Sequence, residues 1–142
     1  MKVSRLLVIW LSVLTAVTVY ADDRRAKVNY QLHCQGCHTG DGSGHPGRQI
    51  PTLTNYMGKF LTVEGGREFL IQVPGAAQSQ LNDIELAELT NWMLKSFDPE
   101  TAKKGFEPYS ATEVGQLRKS MVLDFTGTRE ALVKKIEIAN NY

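Results

Sequence analysis

The chain has 142 residues, which is about the size of one ordinary domain, so a second independent core is not expected. It carries 16 lysine and arginine residues against 15 aspartate and glutamate residues, and its formal net charge is +1. Such a balance produces no strong electrostatic field, which argues against nucleic acid or an anionic membrane surface as the partner.

The first 21 residues are typical of a secretory signal peptide. Lys2 and Arg5 form a basic start, an apolar run extends from Leu6 to about Tyr20, and Ala21 offers a small residue for cleavage. An uncleaved membrane anchor is the alternative, but a run of about fifteen residues is shorter than the roughly 20 that span a bilayer. We therefore expect cleavage after Ala21, export to the periplasm and no stable membrane insertion of the mature chain.

The two cysteines of the chain lie in the run Cys34-Gln35-Gly36-Cys37-His38, directly after a predicted helix over residues 22–32. Residues three and four apart share one helical face, so both thiols and the imidazole project to the same side. The pattern C-x-x-C-H is the attachment signature of c-type haem. The sequence therefore predicts one covalent haem c, bound through Cys34 and Cys37, whose iron takes His38 as an axial ligand.

Other sites could use these residues, and the sequence leaves them open. A thioredoxin-like redox pair would place C-x-x-C near a βαβ pattern, which is missing from the surrounding sequence. A zinc site would combine the cysteines with two of the histidines His33, His38 and His45. The separation of His38 from His45 is wider than the usual H-x₃₋₅-H spacing of zinc ligands. An incidental motif is the remaining alternative, and haem is favoured over all three.

The segment after the motif alternates between loops and short helices. Residues 39–51 contain four glycines and a proline, which predicts a loop. Residues 56–61 and 67–73 are two short helical candidates, and Pro74-Gly75 is predicted to end the second.

The clearest helix is predicted over about residues 81–97, where apolar residues recur near the helical period. Asn82 and Glu85 can form a capping box at its start, and Pro99 is expected to stop it. Because the chain shows almost no alternating strand pattern, its fold is predicted to be all-α.

The C-terminal segment has two further helical candidates. One begins with Ser110 and Glu113 as a potential cap and runs to about Val122, and the other covers about residues 128–139. This segment could pack on the domain and stabilise it, or it could offer a surface to a partner protein. The predicted organisation is a signal peptide at 1–21, a haem domain at 22–97 and a helical C-terminal extension at 98–142.

Residues 25–97 resemble monohaem class I cytochromes c. Tyr30 matches the aromatic residue that this family places on its first helix, and Trp92 matches the aromatic residue of its last helix. Pro51-Thr52-Leu53 is similar to the proline segment that follows the haem motif. The resemblance implies that the two helices pack together around one haem. It also implies that the Pro51 carbonyl accepts a hydrogen bond from His38, which would orient the ring and strengthen it as a ligand.

The sequence departs from this family at the second axial ligand. Many members have a methionine followed by proline just before the last helix, where this chain has Val73-Pro74. Valine cannot ligate iron, so that role does not carry over, and a five-coordinate iron stays open. The apolar residues Ile71, Val73 and Pro74 favour a closed distal side. The remaining side chains that could ligate are Met57, Met93, Met121, His33 and His45.

Two functions of different classes follow from this site. The favoured one is periplasmic electron transfer, as a soluble carrier or as the electron-transfer subunit of an oxidoreductase, with a periplasmic redox protein as the partner. The alternative is a haem-based ligand binder or enzyme with an open iron. A structural module that keeps haem only for folding is a third, weaker possibility. No catalytic triad or paired carboxylates are evident in the sequence, so no catalytic residues are assigned.

Overall fold

The computed structural model describes residues 23–140, so the predicted signal peptide lies outside the described residues. Within this range the chain is helical and has no strand, apart from an isolated bridge between His45 and Ile50. This confirms the all-α prediction. None of the helices between residues 23 and 140 combines the length and the apolar character needed to cross a membrane.

Eight α-helices and two 3₁₀-helices follow one another in the described part of the chain. The α-helices are α1 (23–33), α2 (Gln35–His38), α3 (Gly66–Gln72), α4 (Pro74–Ala77), α5 (Asp83–Phe97), α6 (Pro99–Lys104), α7 (Ala111–Leu117) and α8 (Phe125–Asn140). The 3₁₀-helices cover Pro46–Arg48 and Met57–Thr62.

Helix α1 packs against α5 through three aromatic rings. The ring centroid of Tyr30 lies 5.6 Å from that of Trp92 and 4.9 Å from that of Phe97. Tyr30 is buried, and the Trp92 and Phe97 rings meet edge to face at 5.5 Å. Such pairs contribute about 0.5–1.5 kcal/mol beyond simple burial. The structure thus contains the helix contact that the family resemblance implied.

The predicted capping box of α5 is present, since Asn82 Oδ1 accepts from Glu85 N and Glu85 Oε2 accepts from Asn82 N, both at 3.0 Å. Two prolines act differently from the prediction. Pro74 and Pro99 were expected to stop helices, and each instead occupies the first turn of a new one, α4 and α6. Proline suits this position because its fixed φ is helical and its missing N–H would be unpaired there.

The C-terminal extension folds back on the rest of the molecule. Helix α7 packs on α3 and α5, and α8 packs on the 3₁₀-helix Met57–Thr62. Helix α7 ends at Leu117, earlier than predicted, because the side chain of Arg118 turns to bind backbone carbonyls of the loop before α5. Helix α8 begins earlier than predicted, at Phe125, whose ring stacks on Phe69 with centroids 5.9 Å apart.

Candidate functional site

The three motif residues project into one cavity. Helix α1 runs into Cys34, whose N–H donates to the Tyr30 carbonyl at 2.9 Å. The N–H groups of Cys37 and His38 in turn donate to the Cys34 carbonyl at 3.1 and 2.9 Å. This nearly helical backbone brings both sulfurs and the imidazole to the wall of the same cavity. The side-chain convergence expected from the spacing is therefore present.

The cavity has a volume of about 420 Å³, within the range of small-molecule and cofactor sites. Its lining is mostly apolar. Helix α5 contributes one face with Leu86, Leu89 and Met93, and Phe60 and Phe69 close another side. A flat apolar macrocycle would be buried favourably there, while two thiols and an imidazole wait at the wall. The residues present therefore fit a covalently held haem.

His38 is held by the proline segment. Its Nδ1 donates to the Pro51 carbonyl at 3.2 Å, which is the hydrogen bond that the family resemblance implied. Burial lowers the pKa of His38, although the bond to Pro51 acts in the opposite direction. The imidazole is therefore kept neutral, with its lone pair on Nε2, the form that binds metals.

A glycine makes the approach to Pro51 possible. Gly44 has a φ of +68°, and a Cβ atom there would lie 2.5 Å from the Pro51 carbonyl oxygen. Its N–H also donates to the His38 carbonyl at 3.1 Å. The loop that follows the motif therefore passes so close to the His38–Pro51 pair that a side chain at this position would push the acceptor away.

The thiols do not have the character of a redox pair or of metal-binding thiolates. Burial raises the pKa of the Cys34 thiol to about 11, and the neighbouring Cys37 adds to the shift. Redox-active C-x-x-C sites instead lower the pKa of one thiol. Both cysteines are free, and residues 23–140 contain no group of three or more His, Cys, Asp or Glu residues able to hold a metal ion. The thioredoxin-like and zinc alternatives therefore receive no support.

A network around Thr39 fixes the end of the motif, and sequence reasoning missed it. The Tyr30 hydroxyl donates to the Thr39 carbonyl at 2.6 Å, and burial raises the pKa of Tyr30 to about 12. Asp41 Oδ1 accepts from Thr39 Oγ1 at 2.6 Å and from the Ser43 N–H at 3.1 Å. The short spacing of Thr39, Asp41 and Ser43 after the motif is the signal that could have revealed this turn.

The structure narrows the choice of a second axial ligand. Met57 is 4% exposed and lines the cavity, and Met93 and His33 line it as well. Met121 and His45 are not among the lining residues. Val73 and Pro74 line the cavity as expected for an apolar distal side. Ile71, grouped with them in the sequence analysis, is fully buried in the helical core and does not reach the cavity.

The extension also contributes to the cavity wall, which the sequence did not reveal. Phe125 and Arg129 of α8 both line it. Their spacing of four residues shows that they share a helix face. The sequence carries no signal that this face meets the cavity, because that contact depends on the path of the chain between α5 and α8.

Comparison with known proteins supports this interpretation. No family model matches the chain, and no solved structure matches it. Two curated proteins named cytochrome c-552, both from Thermus thermophilus, are each 34% identical over 103 residues. The alignments cover 60% of this chain and 78% and 69% of the two relatives. Similarity at this level shows that the chain belongs to the class I c-type cytochromes, and as one of these electron-transfer proteins it holds haem c, with its iron, through covalent bonds.

Proposed function

We propose that this chain is exported to the periplasm and transfers electrons there through a single haem c, as a soluble carrier or as a subunit of an oxidoreductase. Cys34 and Cys37 form the two thioether bonds, and His38 is an axial ligand of the iron. One observation carries this proposal: all three side chains line one apolar cavity, and His38 is held there by the Pro51 carbonyl at 3.2 Å. The signal-like residues 1–21 support export.

The residues of the chain set the conditions for electron transfer. When bound, the haem supplies a one-electron couple at its iron. The hydrogen bond from Nδ1 to Pro51 fixes the tautomer and ring orientation of His38, which leaves Nε2 as the atom that faces the metal. The apolar walls exclude water from the ring and keep charge off it. Cys37 is exposed, so the attachment edge reaches the surface, where an electron can enter from a periplasmic partner protein.

In this proposal residues 22–97 form the haem domain and residues 98–142 an extension that covers part of it. The extension carries buried residues in both apolar clusters, including Tyr109, Val114, Leu132 and Ile136. Packing of this kind stabilises the domain and closes the cavity. A partner surface on the extension is therefore confined to its solvent-facing side.

A second function has one observation in its favour. Val73 stands where many class I cytochromes have the methionine ligand, so an open iron could bind a small ligand. Against this, the thioethers of Met57 and Met93 lie in the cavity wall and the walls are closely apolar. We infer a closed distal side and electron transfer as the function.

The test is optical spectroscopy of the full chain matured in a host whose periplasm assembles c-type cytochromes. We expect thioether-haem bands, reversible reduction by a physiological donor, and little uptake of carbon monoxide by the reduced protein at neutral pH. Rapid carbon monoxide uptake would instead assign the protein to the ligand binders. A haem that no physiological donor reduces would leave only a structural role.

A further inference from the structure

The cavity contains one cation that the haem-attachment motif does not use. Among the lining residues in the described part of the chain, Arg129 is the only one with a permanent charge, and it is only partly exposed. Within residues 23–140 its guanidinium has no hydrogen bond or ion pair. Cations withdrawn from water are normally paired, because their desolvation is costly. Arg129 therefore lacks the partner that its position calls for.

A hydroxyl in the same wall is also unsatisfied. The Oγ of Ser79 is buried and has no hydrogen-bond partner, yet Ser79 lines the cavity. Its backbone is held in place, since its carbonyl accepts from Arg118 Nη2 at 2.9 Å. The same guanidinium binds the carbonyls of Ala77 and Leu81 at 3.1 and 2.8 Å. The extension thus fixes the loop that presents this free donor.

Haem c supplies the matching acceptors. Thioether formation uses its vinyl groups and leaves two propionate carboxylates, which carry negative charge at neutral pH. A carboxylate next to apolar walls needs charged or hydrogen-bonding partners. The planar fork of a guanidinium binds a carboxylate through two parallel hydrogen bonds, which an ammonium group cannot do.

We propose that Arg129 binds a haem propionate and that the Ser79 hydroxyl donates a hydrogen bond to a haem carboxylate. The extension is then part of the haem site, because α8 supplies the cation and α7, through Arg118, positions the loop of Ser79. This inference rests on the proposed attachment at Cys34 and Cys37, and it adds a role for residues 98–142 that the attachment motif does not provide.

The test compares haem-loaded Arg129→Gln, Arg129→Lys and wild-type chains by resonance Raman spectroscopy and by reduction potential. Lys134→Gln is the matched control, since it removes one exposed positive charge from the same helix. In Arg129→Gln we expect a shifted propionate-bending band and a lower potential, because an unpaired carboxylate stabilises the ferric state. Arg129→Lys should shift the band while largely restoring the potential, since it keeps the charge and loses the fork.

Ser79→Ala is expected to shift the propionate band with little change in potential, and Lys134→Gln to change neither. A wild-type propionate band in both Arg129 variants would overturn the assignment of Arg129, and a wild-type band in Ser79→Ala would remove Ser79 from the site. These failures are distinct from failure of the proposed function, which would appear as a wild-type chain without covalent haem. If Arg129→Gln does not mature, the band of Arg129→Lys decides the question.

Discussion

The haem-motif segment and the C-terminal extension are organised in opposite ways. In the motif segment the structural hydrogen bonds are local: Tyr30 reaches Thr39, 9 residues away, and His38 reaches Pro51, 13 residues away. The extension is attached by distant contacts, such as Arg67 to Glu113 across 46 residues. The chemistry of the site is therefore encoded over a short stretch, whereas its enclosure depends on the whole chain.

The anchor of the extension shows how such distant contacts are built. The Arg67 guanidinium lies over the Tyr109 ring at 4.0 Å, and the Tyr109 hydroxyl donates to the Arg67 carbonyl at 2.8 Å. Asn91 of α5 exchanges two hydrogen bonds with the Tyr109 backbone, at 2.8 and 2.9 Å. Arg67 also pairs with Glu113, which lowers the pKa of that carboxyl through the hydrogen bond. The extension thus depends on a few buried, mutually supporting groups.

The largest effect is expected from removing this anchor. Tyr109 is 3% exposed, and truncating a buried aromatic residue costs about 3–5 kcal/mol of unfolding free energy. Tyr109→Ala should lose this amount in denaturant unfolding of the haem-loaded protein, and Tyr109→Phe about 1 kcal/mol for the lost hydrogen bond. Leu123→Ala is the control in the same extension, since Leu123 is 89% exposed and its truncation should be near neutral. Equal stability of Tyr109→Ala and Leu123→Ala would show that the extension is not anchored there.

The next effect tests the local half of the comparison. Gly44→Ala introduces a side chain at positive φ, which alone costs about 1–2 kcal/mol, and pushes against the Pro51 carbonyl. We expect lower stability together with a shifted reduction potential, because the His38 hydrogen bond is disturbed. Gly47→Ala is the matched control in the same loop, since a Cβ atom there meets no neighbour within 4 Å. An unchanged potential in Gly44→Ala would mean that the Pro51 bond does not tune the ligand.

The smallest effect concerns the charge in the Thr39 turn. Hydrogen bonds from Thr39 and Ser43 lower the pKa of Asp41 from 3.8 to about 2. A depressed pKa contributes stability that is present above about pH 4 and is lost as the pH falls towards 2. Asp41→Asn should therefore be slightly less stable than wild type at neutral pH, with the difference disappearing below about pH 2. Unfolding curves at several pH values measure this, with Glu130→Gln as an exposed control on α8. A difference that persists at pH 2 would contradict the account.

The sequence allowed the attachment motif, the all-α fold and the capped helix α5 to be predicted, because spacing, helical period and capping residues act over a few positions. The Tyr30 and Trp92 contact could be inferred from the family resemblance. The roles of Pro74 and Pro99 were wrong, since proline is compatible with both the stop and the start of a helix. The places of Arg118 and Arg129 could not be predicted, because each depends on how distant segments meet.

The most direct test of the account is the intact mass of the protein matured in a competent periplasm, measured after acid-acetone extraction. We expect the polypeptide to keep its colour and a mass increased by one haem, and we expect both to be lost in the Cys34→Ala, Cys37→Ala double variant. A wild-type chain with the mass of the bare polypeptide, and colour released into the solvent, would contradict the claim that these two sulfurs hold the cofactor.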